Sequence, residues 1–294
     1  MLNLLWALIY KVFIFVLIGT AAKRFSGVSA GKAVNVFIWI CLYLLIPAYI
    51  FLTMWSNSLS VGDSWKTAAC ALLVVLCGAF LAWAWSAAGK ISFKAHCLPV
   101  IFMNSAYLAI PVNTLLWGAR GAAYAIVYNV AVTIANFTLG IWWASEAKPL
   151  AEITGLPVLY AVAAGAALNF SGVAMPRVLE ISGAALSFVT LPAMLIFAGY
   201  RLGEINTGGL GLVFWGVFLR MFGGFLAGTA AVYMLGITGP AAGVCIMSSS
   251  MPAAVYSYIL TEKYKGNAAF AAAAVFAGTV LSFFTIAALG YYYR

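Results

Sequence analysis

FMNSAYLAIPV, Phe102 to Val112, is the stretch on which the fold of this chain turns. It lies inside an apolar segment, yet Asn104 and Ser105 precede Pro111 by seven and six residues. Proline removes a backbone donor and crowds the turn before it, so an apolar helix bends or opens there. Near the other end, CIMSSSMPAAVYSYIL, Cys245 to Leu260, again sets a proline, Pro252, behind a polar run, Ser248 to Ser250. Two interrupted membrane helices, one per half of a chain, are the pattern of a secondary transporter with its site near the bilayer midplane.

The surrounding sequence leaves one fold class. The chain has 294 residues, 66% hydrophobic and 7% charged, with a mean hydropathy of +1.07. Soluble proteins carry roughly 25% charged residues. An all-α polytopic membrane protein is expected, rich in interfacial aromatics and in small residues for close helix contact. A spanning helix needs about 20 apolar residues. Ten such spans are expected, at 3–22, 33–54, 67–89, 96–117, 121–143, 153–171, 178–201, 210–236, 239–261 and 268–291.

The net charge of +9 does not point to nucleic acid, because the cations lie singly or in pairs between apolar segments. With the first loop placed inside, inner loops hold nine Lys and Arg and outer segments four. The positive-inside rule then sets both termini outside, in a plasma (inner) membrane. The N-terminal run has no basic residues ahead of it and reads as a retained helix rather than a signal peptide. The five cysteines form no Cys-x-x-Cys pair, so buried thiols are expected rather than a metal or disulfide framework.

The two halves resemble each other. LLIPAYIF, Leu44 to Phe51, recurs roughly as VTLPAMLIF, Val189 to Phe197, and Pro111 and Pro252 stand 141 residues apart. Helices one to five (1–143) and six to ten (153–294) form two repeats. Five is odd, so the second copy enters the membrane upside down, which makes the fourth and ninth helices equivalents.

Between those two helices a polar site is expected. Its candidates are Asn104, Asn113 and Pro111 on the fourth helix, with Ser249, Ser250 and Pro252 on the ninth. Half-helix ends there offer amides and partial positive charge, which suits a carboxylate. Asn129 and Asn136 add amides seven residues apart on one face of the fifth helix. Arg220, deep in the eighth span, either lines an inner cavity and attracts an anion, or snorkels or caps a broken helix. The six acidic residues, Asp63, Glu146, Glu152, Glu180, Glu204 and Glu262, all fall in loops or at helix ends. A carboxylate proton relay and a counter-ion for a cationic solute are therefore missing, and an anionic or neutral solute is favoured. No cofactor is expected. A sodium ion stays open as a partner, because carbonyls at broken helices coordinate it without carboxylates. The single histidine, His96, has no carboxylate close in sequence, so an interfacial role is expected rather than catalysis.

These residues resemble the auxin efflux carrier family. NSAYLAIP, Asn104 to Pro111, is similar to that family's N-x-G-F-x-G-x-P motif, with Ala106 and Ala109 in place of its glycines and Tyr107 keeping the aromatic. Met251, Pro252, Ala254, Leu260, Tyr264 and Gly266 follow its M-P-x-A-x-x-x-x-x-L-x-x-x-Y-x-G pattern. Pro192, Gly199 and Leu202 resemble its P-L-x-x-x-x-x-G-x-x-L segment, with Ala193 for the first Leu. The resemblance implies a scaffold of helices one, two, six and seven and a mobile transport domain of helices three to five and eight to ten. It implies elevator-type transport of organic anions such as mono- or dicarboxylates, with the sodium-coupled bile acid symporters sharing the plan. It implies substrate contacts at Asn104 and Asn129, aided by half-helix ends at Pro111 and Pro252. Tyr107 and Tyr256, at the two motifs, join that substrate-binding set. It also implies a homodimer formed through the scaffold, embedded in membrane lipid.

Overall fold

A computed structural model of the chain describes residues 39–56, 64–106, 108–145, 149–155, 157–179 and 209–293, with 14–15, 17–24, 36–37 and scattered positions between 181 and 200. The described residues are helical apart from turns and one isolated bridge. The expected spans at 3–22 and 178–201 lie partly outside the described residues, as does Lys11.

Among the described residues, four helices are long and apolar enough to cross a membrane: Ser64–Gly89, Arg120–Ala144, Leu210–Met234 and Ala268–Tyr292. Their outward faces are apolar. Trp65, Leu72, Leu76, Phe80 and Trp83 recur at helical spacing on one exposed face of the first. Such a face has no stable place in water and suits lipid.

The helices fall into two groups. Ile46–Ser56 packs against Pro157–Phe170, where a side chain at Gly165 would meet the Phe51 carbonyl at 2.6 Å and the Met54 Cβ at 2.7 Å. The absent side chain is what lets these two backbones approach. The second group is built from the remaining long helices and two pairs of half-helices, Phe93–Ile101 with Ala109–Trp117 and Gly239–Ser249 with Val255–Lys263. Gly118, at φ +62° and ψ −147°, ends the first pair and turns the chain into Arg120–Ala144. Only glycine adopts that conformation without strain.

Both expected interruptions are present, one in the described residues between Ile101 and Ala109 and one between Ser249 and Val255. The first lies just ahead of Pro111. Pro111 lies in the first turn of its half-helix, where a missing N–H costs nothing. Pro252 lies inside the second break.

Pro99 sits within Phe93–Ile101 and withholds the N–H that would reach the Ala95 carbonyl. The Asn267 amide fills that gap, donating to Ala95 O at 3.0 Å. The Asn267 side chain caps Ala268–Tyr292, its Oδ1 accepting from Phe270 N at 2.9 Å. Its Nδ2 lies 3.2 Å from Nε2 of His96. His96 Nδ1 is 2.9 Å from the Ser92 carbonyl, which can only accept, so Nε2 is the acceptor for Asn267. His96 is thus buried between Trp85 and Phe270. Asn267→Ala removes a cap and a part-buried side-chain bond together. It is expected to destabilise the protein by about 2 kcal/mol, read as a lower melting temperature in detergent.

Candidate functional site

The two breaks cross each other. Met103 and Ala253 form an antiparallel bridge. Asn104 N donates to Pro252 O at 2.7 Å, and Ala254 N donates to Phe102 O at 2.9 Å. Each opened segment therefore satisfies the other's main chain, which a membrane interior demands of any non-helical backbone.

Beside the crossing lies a small cavity lined by Met103, Asn104, Ser105, Ala106, Asn129, Val132, Thr133, Asn136, Ala254, Val255 and Tyr256. No charged side chain lines it. Its volume of about 20 Å³ is enough for one ordered water. An organic anion is larger than this space.

The polar groups fall into two layers. In the cavity, Ser105 Oγ donates to Asn129 Oδ1 at 2.9 Å, tying the first break to the Arg120–Ala144 helix. Asn136 is 2% exposed and its Oδ1 has no hydrogen-bond partner, an unspent acceptor in an apolar slab. Asn136 opens a π-helical turn, Asn136–Gly140, whose extra residue shifts the face that follows it. The Val255–Lys263 half-helix has no side-chain cap, and its first residues line the cavity. Its first-turn amides carry the partial positive charge of a helix start. The other half-helix start is spent locally, with Ala109 N on Asn104 O at 3.3 Å and Ile110 N on Ala106 O at 3.2 Å.

The second layer lies behind the crossing. Asn113 Nδ2 donates to Ser248 Oγ at 3.0 Å. Ser249 Oγ donates to Cys245 O at 2.6 Å and so accepts from the Tyr128 hydroxyl at 2.9 Å. Ser250 Oγ turns back to Ile246 O at 2.7 Å. Arg220, 1% exposed, donates to the carbonyls of Val100, Ile101 and Ser249.

The expected site residues thus separate. Asn104, Asn129 and Tyr256 line the cavity, and Pro252 belongs to the crossing backbone. Asn113, Ser249, Ser250 and Arg220 are directed to partners outside the cavity lining, and Pro111 stands beyond it in its helix turn. Tyr107 lies outside the described residues. Thr133 and Asn136 complete the polar lining. The seven-residue spacing of Asn129 and Asn136 was the signal for the second, and Thr133, four residues after Asn129 and three before Asn136, stands on the same helix face.

Residues 142–289 match the family described as membrane transport protein. An uncharacterised transporter of Methanocaldococcus jannaschii is 26% identical over 306 aligned positions, covering 95% of this chain and 96% of the relative. An uncharacterised transporter of Methanothermobacter thermautotrophicus is 23% identical, covering 93% of each chain. With its broken, crossing helices and the matched region running through the second of them, the chain belongs to this membrane transport protein family, that of the auxin efflux carriers, and is an integral multi-pass membrane protein.

Proposed function

We propose that the protein is a secondary carrier that moves a small organic anion, a mono- or dicarboxylate, by alternating access. The observation that carries this reading is the uncharged, amide-lined cavity at the crossing, into which an uncapped half-helix start opens. Amides and a helix start complement a carboxylate without the desolvation cost of a buried counter-charge. In this reading Asn104 and Asn129 hold the carboxylate, with Asn136 and Thr133 orienting its neighbours. The ten spans form two inverted repeats whose fourth and ninth helices cross at the site. The two packing groups support an elevator step, in which the bundle around the crossing slides against a scaffold containing Ile46–Ser56 and Pro157–Phe170. The relatives' description as transporters supports transport over catalysis.

The test is uptake of radiolabelled mono- and dicarboxylates into proteoliposomes. Asn104→Ala is expected to reduce uptake of the preferred solute roughly tenfold, the loss of one buried charge-assisted hydrogen bond. Unchanged uptake removes Asn104 from the site. The same assay with and without a sodium gradient separates uniport or exchange from the symport of the bile acid carriers.

A further inference from the structure

Arg220 has an arrangement that substrate attraction does not explain. It lies on a π-helical turn, Leu219–Gly223, in the middle of the membrane helix Leu210–Met234. Its Nη1 donates to Val100 O at 3.2 Å and to Ile101 O, and its Nη2 donates to Ser249 O at 3.0 Å. These three carbonyls close the C-terminal ends of Phe93–Ile101 and Gly239–Ser249, the half-helices that lead into the crossing. None of its hydrogen-bond partners is a carboxylate. A helix C-terminus carries about −0.5 of a charge, so two of them together offset about one positive charge. The counter-charge of the guanidinium is therefore the pair of broken helices itself.

The chamber is moulded to this cation. A side chain at Gly78 would stand 3.3 Å from Ile101 backbone atoms and 3.5 Å from Nη1. One at Gly224 would overlap both Nη2 and the Ser249 carbonyl. Carbonyls at the C-terminal ends of discontinuous helices are also the ligands with which transporters of this general architecture hold Na⁺. Acceptors of that kind, neutral and convergent, fit a monovalent cation.

We propose that these carbonyls form a monovalent-cation site that Arg220 occupies as a tethered, permanent ion, and that removing the side chain opens the site to a free cation. The proposal deepens the carrier reading, since a filled site leaves no place there for a coupling ion. Its test reads cation binding and uses no transported solute, so it fails or stands separately from the carrier reading.

Wild type, Arg220→Ala and Arg220→Lys are purified in detergent. Their thermal unfolding is followed in choline, sodium or methylguanidinium chloride at equal ionic strength. Wild type is expected to melt at one temperature in all three. Arg220→Ala is expected to melt roughly 10 °C lower in choline. Sodium or methylguanidinium should restore it saturably. Arg220→Lys keeps a tethered cation and is expected to stay indifferent to sodium. An alanine variant that no cation restores overturns the proposal, and so does one that sodium stabilises no more than it stabilises wild type. Should alanine yield no folded protein in any of the three salts, the lysine variant decides: stabilisation by sodium there overturns the proposal, and indifference supports it.

Discussion

Asn129→Asp is expected to abolish anion uptake while leaving the protein folded. Asn129 is 6% exposed, and its Oδ1 accepts from Ser105 Oγ at 2.9 Å. Aspartate has the same shape and keeps that acceptor, so the tie between the first break and the Arg120–Ala144 helix persists. What changes is the sign of the cavity, from an amide dipole to a carboxylate. Like charges brought together at a desolvated site cost several kcal/mol, so uptake should fall by roughly 100-fold or more. Melting temperature and proteoliposome uptake, measured on the same preparation, separate the two effects. A folded variant with undiminished uptake would show that the anion does not pass this cavity. Asn129→Ala is the milder companion: it strands the Ser105 hydroxyl and costs both stability and transport.

The largest loss of stability is expected at Gly224. A Cβ there would overlap the Arg220 guanidinium and the Ser249 carbonyl at once. The backbone oxygen belongs to a helix end and the guanidinium is 1% exposed, so neither neighbour can swing away. Gly224→Ala therefore combines overpacking with the displacement of a buried cation from its only acceptors, a loss of about 3 kcal/mol or more. Gly211 is the control. No atom lies within 4 Å of a Cβ at that position, so Gly211→Ala should be neutral or stabilise its helix slightly. Yield after detergent extraction and melting temperature check both. Equal behaviour of the two variants would refute the account of the chamber.

The sequence carried the two interruptions, because a polar run beside proline in an apolar segment has few other physical outcomes. It tied the first opening to Pro111, which stands just past that opening in the first turn of the next half-helix. Pro111 is compatible with a helix start, and the opening between Ile101 and Ala109 is held by main-chain bonds to a segment about 150 residues away, which local chemistry does not reveal. The same distance hides the partners of the polar side chains. Asn113 meets Ser248, and Tyr128 meets Ser249, across more than 120 positions. Sequence alone lists Asn113, Ser248 and Ser249 as polar groups at similar depth and cannot sort those facing the cavity from those behind it. Arg220 was left open between attracting an anion, snorkelling and capping a broken helix. Only the carbonyls of Val100, Ile101 and Ser249, brought from distant parts of the chain, select the cap. Asn136 reached the cavity lining at its helical spacing from Asn129, and only the π-helical turn that begins at its position is an irregularity a 3.6-residue reading does not anticipate.

The bridge between Met103 and Ala253 is made by main-chain groups alone. No exchange of side chains can delete those hydrogen bonds, short of introducing a further proline. The crossing is thus a fixed frame, and the lining side chains Ala106, Thr133 and Tyr256 are interchangeable parts set into it. In the carrier reading, exchanging these few residues would alter the fit of the chamber while the frame that holds it stays intact.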